Sequence, residues 1–589
     1  QSLGHALRHF AVQPGRLRRQ GSRLRSDALV ARDMLAGRLG HPDRWTVALS
    51  LLAAGTTWLV WRLYERAMFE RADGAIYTGV DHNIGDLPFH IAIINSFVHG
   101  NNFPPEHPEL AGVRLTYPFL VDFVSAMLVR AGAGLRDALF TVNVALALAL
   151  VALVFRWASH FTRDRLAAVA TPFLVFLSGG FGFVLLLREV DPMRGGLVGL
   201  LQRMSHDYTI LGSGELRWGN LFITMLMPQR SILMGMPLAI AVWTLWWQAM
   251  GMPEEDAPRA RRLLAGAGAI TGLMPLVHAH AFAVTMAVAA VIAVCDRRPA
   301  AWRWFFAPAL LMAAPQIAWL AVGSSLSTGT FVAWHLGWDR GRRPPVGFWL
   351  DNLGLFIPLL SIALVTGWRG GWLSRRQLLF YVPFLACFVV PNVLKLSPWI
   401  WDNIKFLIWW HVASAPLVAL LLARVWRTGR GWRMAAAGAF VLLVLSGALD
   451  VARVASKSIE QRIYDGPAVA FGHRIRAVTA PRAIVLHAPA HNSEVFLAGR
   501  RSLLGYTGHT WSQGMDAGQR EEEIRAIYAG APDAPALLAR HGVAYVLVGP
   551  RERDLAGDLD SSFLETLRVI AESADYRLYA VESGDASHK

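Results

Sequence analysis

Residues 81–108, DHNIGDLPFHIAIINSFVHGNNFPPEHP, hold Asp81, Asp86, Glu106 and four histidines, directly after the first long apolar segment. Carboxylates take protons from hydroxyl or amine nucleophiles, and imidazoles orient such groups or bind metals. About half of the chain reads as apolar helix, where ionisable groups are costly, so they gather where water or substrate meets them. Asp86 and Asp81 are the candidate catalytic carboxylates. The plain alternative is a solvated loop between helices.

Three further regions are rich in acids, cations and aromatics. The connector 189–230 carries Arg203, His206, Asp207, Tyr208, Glu215 and Arg217 and ends in MPQRS, with Gln229, Arg230 and Ser231. Residues 323–352 carry Trp334, His335, Trp338, Asp339, Arg340 and Asp351, and KLSPWIWDNIK at 395–405 carries Lys395, Trp399, Trp401, Asp402, Asn403 and Lys405. Such an inventory suits transfer of a sugar from a lipid-linked phosphosugar. A carboxylate takes the acceptor proton, arginine or lysine holds the leaving phosphate, and tryptophan faces pack on a sugar ring or an isoprenoid tail. Taken singly, an Arg or Trp at a membrane interface more often serves as an anchor.

The elements that must position these residues are membrane helices. The chain has 589 residues, is 54% hydrophobic and 17% charged and contains 23 Trp, a composition that excludes a soluble protein. The net charge of +15 comes from arginines beside apolar spans and follows the positive-inside rule, so nucleic acid is not an expected partner. Cys295 and Cys387 lie in or at the end of apolar spans and support neither a disulfide framework nor a cysteine metal site. Residues 1–44 carry nine arginines against three aspartates, which predicts a cytoplasmic amino terminus. The following span, 45–64, is of full membrane length and no small-residue cleavage site follows it, so no cleaved signal peptide is expected.

Further apolar spans fall at 137–157, 166–188, 228–250, 303–322, 353–367, 378–394, 405–423 and 434–455, and the run 263–295 reads as a helical hairpin turning near Pro275, His278 and His280. Residues 117–129, with Asp122, are too short for a full crossing and dip into the membrane. The expected fold is a mostly α polytopic membrane protein of about 11 transmembrane helices over residues 45–455. Its first external loop, 65–115, is catalytic. Residues 456–589 read as a soluble α/β domain outside the membrane, with strands at 483–487, 494–497, 544–548 and 576–581 and helices at 519–528, 534–540 and 562–573. His509 and Trp511 are its most notable polar and aromatic pair.

Gly85-Asp86, the helix 87–99, Gly100 and Tyr117-Pro118 together resemble the layout of the GT-C superfamily of membrane glycosyltransferases, near the protein mannosyltransferases and lipid A aminoarabinose transferases. Those enzymes place an acidic motif in the first external loop, then a helix, a small-residue break and a proline-containing apolar segment. In that register Asp86 takes the place of the catalytic acidic motif. The paired acids of those enzymes are not adjacent here, since Asp81 lies five residues earlier, and their Lys-Pro-Pro is replaced by Thr116-Tyr117-Pro118. Pro-Gln-Arg-Ser at 228–231, Leu-Val-His-Ala-His at 276–280, Trp-Asp-Asn-x-Lys at 401–405, Gly499-Arg500, Gly505-Tyr506, Trp511-Ser512 and YVLVGPRER at 545–553 are similar to signatures of large bacterial multi-span proteins grouped with these transferases.

The resemblance implies a polyprenyl-phosphate-linked sugar as donor, a protein, lipid or glycan as acceptor, and a place in the bacterial cytoplasmic membrane with the carboxyl-terminal domain outside. The Arg-, Ala- and Gly-rich composition favours an undecaprenyl-type carrier over dolichol. In the expected mechanism Asp86 is the general base of an inverting displacement, and Arg230 and Lys405 hold the phosphate. Asp81, His90 and Asp402 orient base, substrate or metal, and Trp399 and Trp401 pack near the carrier, with Gln229, Asn403 and His335 on the substrate. Some superfamily members need a divalent cation. Asp86 and His90 share one helix face, with His278 and His280 as candidate additional ligands, although both histidines read equally as polar groups satisfied within the hairpin turn. The alternative function is a lipid or glycolipid transporter, which Pro- and Gly-broken helices also fit.

Overall fold

The computed structural model describes residues 43–190, 196–201, 204–212, 214–321, 331–556 and 561–581. The basic segment 1–42 and Arg203 lie outside the described residues. Among the described residues, six helices are long and apolar enough to cross a membrane: Arg44–Ala67, Leu135–Thr162, Arg230–Met250, Pro299–Ala321, Ile400–Trp426 and Arg430–Ala455. Pro345–Leu353 and Phe356–Arg369, bent by 96° at Gly354, form a broken seventh. The other expected spans are helical but interrupted. The run 166–188 stops at Phe176 and restarts at Phe183, where Gly180 and Gly182 press against the backbone of Asp351 and Tyr208 and no Cβ fits. The run 378–394 breaks into Arg375–Tyr381 and a succession of single turns at Pro383 and Pro391. The hairpin is present as Ala257–Gly272 and Ala279–Cys295, and the short dip as Leu120–Arg130.

The helix Asn83–His99 is apolar on nearly every side and is accordingly buried on both faces. Leu87, Ile91, Ile94 and Val98, at helical spacing, share a core with Phe471, Ile475, Val495 and Leu497 of the carboxyl-terminal region. Phe89 and Ile93 share another with Leu115 and Phe119. The helix is thus clamped between the membrane bundle and the terminal region, with Asp86 in its first turn, where the positive end of the helix dipole favours a carboxylate.

The carboxyl-terminal region builds a five-stranded sheet in the order Arg501–Ser502, Ile484–Leu486, Val543–Val548, Arg577–Ala580, Arg568–Glu572, the first three parallel and the rest antiparallel. Two expectations fail here. Residues 494–497 are not a strand but part of the short helix Glu494–Ala498, opened by Ser493, whose hydroxyl accepts from the Val495 amide. Residues 562–573 are not one helix: Ser561–Glu565 is followed by the edge strand Arg568–Glu572, whose β-branched Val569 and Ile570 suit a sheet. The terminal region also reaches back to the first loop. Strand Gln461–Tyr464 pairs with Ile76–Thr78, and backbone bonds from Ser502 to Pro108, Ala111 to Ser502 and Gly505 to Glu109 (3.0, 2.9 and 2.7 Å) lay loop residues 108–111 along the sheet edge.

Candidate active site

Asp86 is half-buried, and the aromatic ring one turn along, Phe89, marks what flanks it. The Phe89 ring meets Tyr117 edge-on at 5.1 Å and His509 at 4.9 Å. Tyr117 lies close to Ser231 and within electrostatic range of Asp86 and Asp402. Burial, then the Asp86 charge, push the Tyr117 hydroxyl above its ordinary value, so it stays protonated. On the other side, a Cβ placed on Gly85 would lie 3.6 Å from His509 Nε2, and His509 Nδ1 meets the buried Glu109 carboxylate at 2.9 Å. Burial pulls His509 down, but Glu109 and then Asp86 outweigh it and hold the imidazole above its ordinary value.

A second group completes this end of the bundle. The Lys405 ammonium stands 3.0 Å from Asp402, and both lie within range of His280. His280 packs on Phe406 at 5.0 Å and on His278 at 5.3 Å. His278 caps its helix, accepting from the Ala281 amide at Nδ1 (3.1 Å), which leaves Nε2 as its protonated nitrogen. The hairpin turn joins the first-loop side where the Leu120 amide donates to the Leu276 carbonyl at 3.2 Å. Four helix starts, at Asn83, Arg230, Ala279 and Ile404, therefore bring Asp86, Ser231, His280 and Lys405 to one region. Helix amino termini carry partial positive charge and unpaired amides, an arrangement suited to an anion.

Arg230 does not join this group as expected. Its Nε donates to Asn143 (3.0 Å), one terminal nitrogen to Ser125 (2.6 Å) and the other to Asp122, all buried. His90, also expected at the reacting centre, is 0% exposed and turned to the same carboxylate at 2.8 Å, with its other nitrogen 3.0 Å from the Pro228 carbonyl. A buried guanidinium is tolerable only with such partners, and the partners leave no open face for a phosphate. Beneath lies a small cavity of about 20 Å³ bounded by Tyr64, Asn83, His90 and Arg230, room for about one water.

Asp81 is likewise taken up elsewhere. Its carboxylate meets Arg453 at 2.8 Å and the Gln461 amide at 3.1 Å, and Arg453 also bonds Asp207 (2.7 Å), which His82 approaches at 2.7 Å. Asn403 is fully buried in a structural role, donating to the Pro391 and Leu394 carbonyls and accepting from the Leu396 amide. Trp401 is buried and donates to the Arg217 carbonyl at 2.9 Å, whereas Trp399, tilted against it at 5.0 Å, stays 44% exposed. His335 lies beside the two-stranded ribbon Ala333–Trp334 and Leu394–Lys395, its amide bonded to the Val393 carbonyl. Gln229 sits half-buried at the cap of Arg230–Met250. Among the described residues no three His, Cys, Asp or Glu side chains form a metal-ligand set. With His90 spent on Asp122 and Pro228, the donors around Asp86 do not fit a divalent cation.

Sequence reading missed Tyr117, Ser231 and Glu109 as site residues. Tyr117 and Ser231 stand in stretches named for other reasons, the Tyr117-Pro118 element and the MPQRS run. Glu109 gave no local signal, because its partner His509 is 400 residues away.

No protein-family model and no curated protein matches the chain. Solved structures do. The Archaeoglobus fulgidus oligosaccharyltransferase in its apo form is similar at a TM-score of 0.51 and 12% identity, over 84% of this chain and 69% of that one. The mycobacterial arabinofuranosyltransferase AftD is similar at 0.54 and 13%, over 93% of this chain and 40% of the other. ArnT from Cupriavidus metallidurans gives 0.49 and 13%, over 91% and 98%. The chain shares the fold of the oligosaccharyltransferase and of AftD.

Proposed function

We propose that the protein is a glycosyltransferase that moves a sugar from a polyprenyl-phosphate carrier to an acceptor hydroxyl or amine on the outer face of the cytoplasmic membrane. The observation that carries this is the convergence of Asp86, Tyr117 and Ser231 with Lys405, Asp402 and His280 at one end of the bundle, where four helices begin. Asp86 removes the acceptor proton. The acceptor oxygen or nitrogen bonds the anomeric carbon as its bond to the phosphate oxygen breaks, inverting that carbon. The leaving phosphate stays with Lys405 and the helix starts, in place of Arg230. Both solved structures with TM-scores above 0.5 named above are glycosyl-transferring enzymes by name, which supports the reaction class. A transporter needs charges that exchange partners along a path. Here the buried pairs Arg230–Asp122 and Arg453–Asp207 are locked to each other.

The test is transfer from a panel of polyprenyl-phosphate sugars in nanodiscs, followed as release of polyprenyl phosphate. Asp86→Asn is expected to lower release by at least about a hundredfold while still binding polyprenyl phosphate. Unchanged turnover would remove Asp86 from the mechanism.

A further inference from the structure

Resting on that reading, we propose that the carboxyl-terminal domain supplies the acceptor subsite, in which His509, held by Glu109, hydrogen-bonds a carbohydrate acceptor beside Asp86. His509 belongs to the short helix Thr507–Ser512, yet its ring rests on Phe89 of the first-loop helix at 4.9 Å and its Nε2 faces the Gly85–Asp86 turn. His509 Nδ1–H donates to the Glu109 carboxylate at 2.9 Å, which fixes the ring and leaves Nε2 as the nitrogen that meets a ligand. A sugar hydroxyl both donates and accepts, so it meets Nε2 in either protonation state.

Next to His509 the chain offers a face for a sugar ring. Tyr506 stands edge-on to His509 at 5.0 Å, is 40% exposed, and is met by His491 at 5.8 Å. An exposed tyrosine with polar neighbours, carried on a soluble domain, suits the apolar face and hydroxyl rim of a carbohydrate better than a lipid tail. A peptide acceptor has less to grip, because the sheet edge nearest the site, Arg501–Ser502, is already taken by loop residues 108–111. Glu109, Asp86, His107, His491 and Tyr506 are the titratable groups that face His509.

The experiment is saturation-transfer NMR on the full chain in nanodiscs with maltotriose, α-1,6-mannotriose and α-1,5-arabinotriose, and with an Asn-Val-Thr peptide as the competing class. Polyprenyl-phosphate binding is followed on the same samples by native mass spectrometry. Saturation of at least one trisaccharide, retained in Asp86→Asn and weakened at least about tenfold in both His509→Gln and the exposed-site variant Tyr506→Ala, supports the subsite. Saturation of the peptide alone, of no probe, or of a trisaccharide indifferent to both variants overturns it. If polyprenyl phosphate binds in those overturning cases, the subsite alone fails. If it does not bind, the transferase reading fails with it.

Discussion

Arg230 shows how a single residue type can mislead. An arginine at the start of a membrane span reads as free to reach a phosphate, and only the fold reveals that Asp122, 108 positions earlier, faces it inside the bundle. The pairing sets a testable cost. Asp122→Asn keeps the shape but leaves the buried Arg230 guanidinium without its countercharge, which is expected to lower stability by about 3–5 kcal/mol. The double variant Asp122→Leu/Arg230→Met, which removes both charges, is expected to recover most of that loss. Thermal unfolding in detergent micelles measures both. A neutral Asp122→Asn would return Arg230 to the pool of phosphate ligands. The position of Asp86, by contrast, was legible, because it is set locally: it falls in the first turn of a helix in the loop after the first span.

At the scale of elements, the long helices were legible from hydropathy, since a run of about 20 apolar residues has few other solutions. The broken ones were not, because backbone contact with a distant segment decides where they stop, as at Gly180 and Gly182. The docking of the first-loop helix on the terminal domain is of the same kind. Gly100 ends that helix, and a Cβ there would lie 2.4 Å from the Gly499 carbonyl oxygen and 2.6 Å from that of Ser96. Gly499 in turn adopts φ +70° and crowds the Asn95 carbonyl. Gly100→Ala must push the two elements apart, at a cost of about 1–3 kcal/mol. The expected sign is faster protease cleavage in residues 456–581 with the membrane helices still intact. Equal cleavage rates in variant and parent would show that the two glycines set no contact of consequence.

At the scale of the whole molecule, one ionic cluster ties the membrane bundle, the long connector and the first loop into a single body. Arg453, near the end of Arg430–Ala455, bonds Asp81 ahead of the first-loop helix and Asp207 of the connector, with His82 on the far side of Asp207. No stretch of sequence announces this, since the partners come from three separated segments: Asp81 reads as a candidate catalytic carboxylate, Asp207 as a connector charge and Arg453 as part of an apolar span. Burial raises the Asp207 carboxyl, but His82 and then Arg453 overcome it and hold it below the ordinary carboxylate range. A depressed folded value means the stabilisation is present above the unfolded carboxylate pKa of about 4 and is lost as pH falls through the lower folded one. Arg453→Met removes the cation that Asp81 and Asp207 share, leaving His82 on Asp207 and the Gln461 amide on Asp81. It is expected to lower Tm at neutral pH and to flatten the fall of Tm between about pH 5 and pH 3, because less stabilisation remains to be lost there. The same variant loosens the turn that leads into Asp86, so transfer is expected to fall along with Tm. A variant with lowered Tm but a parent-like acid limb would place the depression of Asp207 on His82 alone.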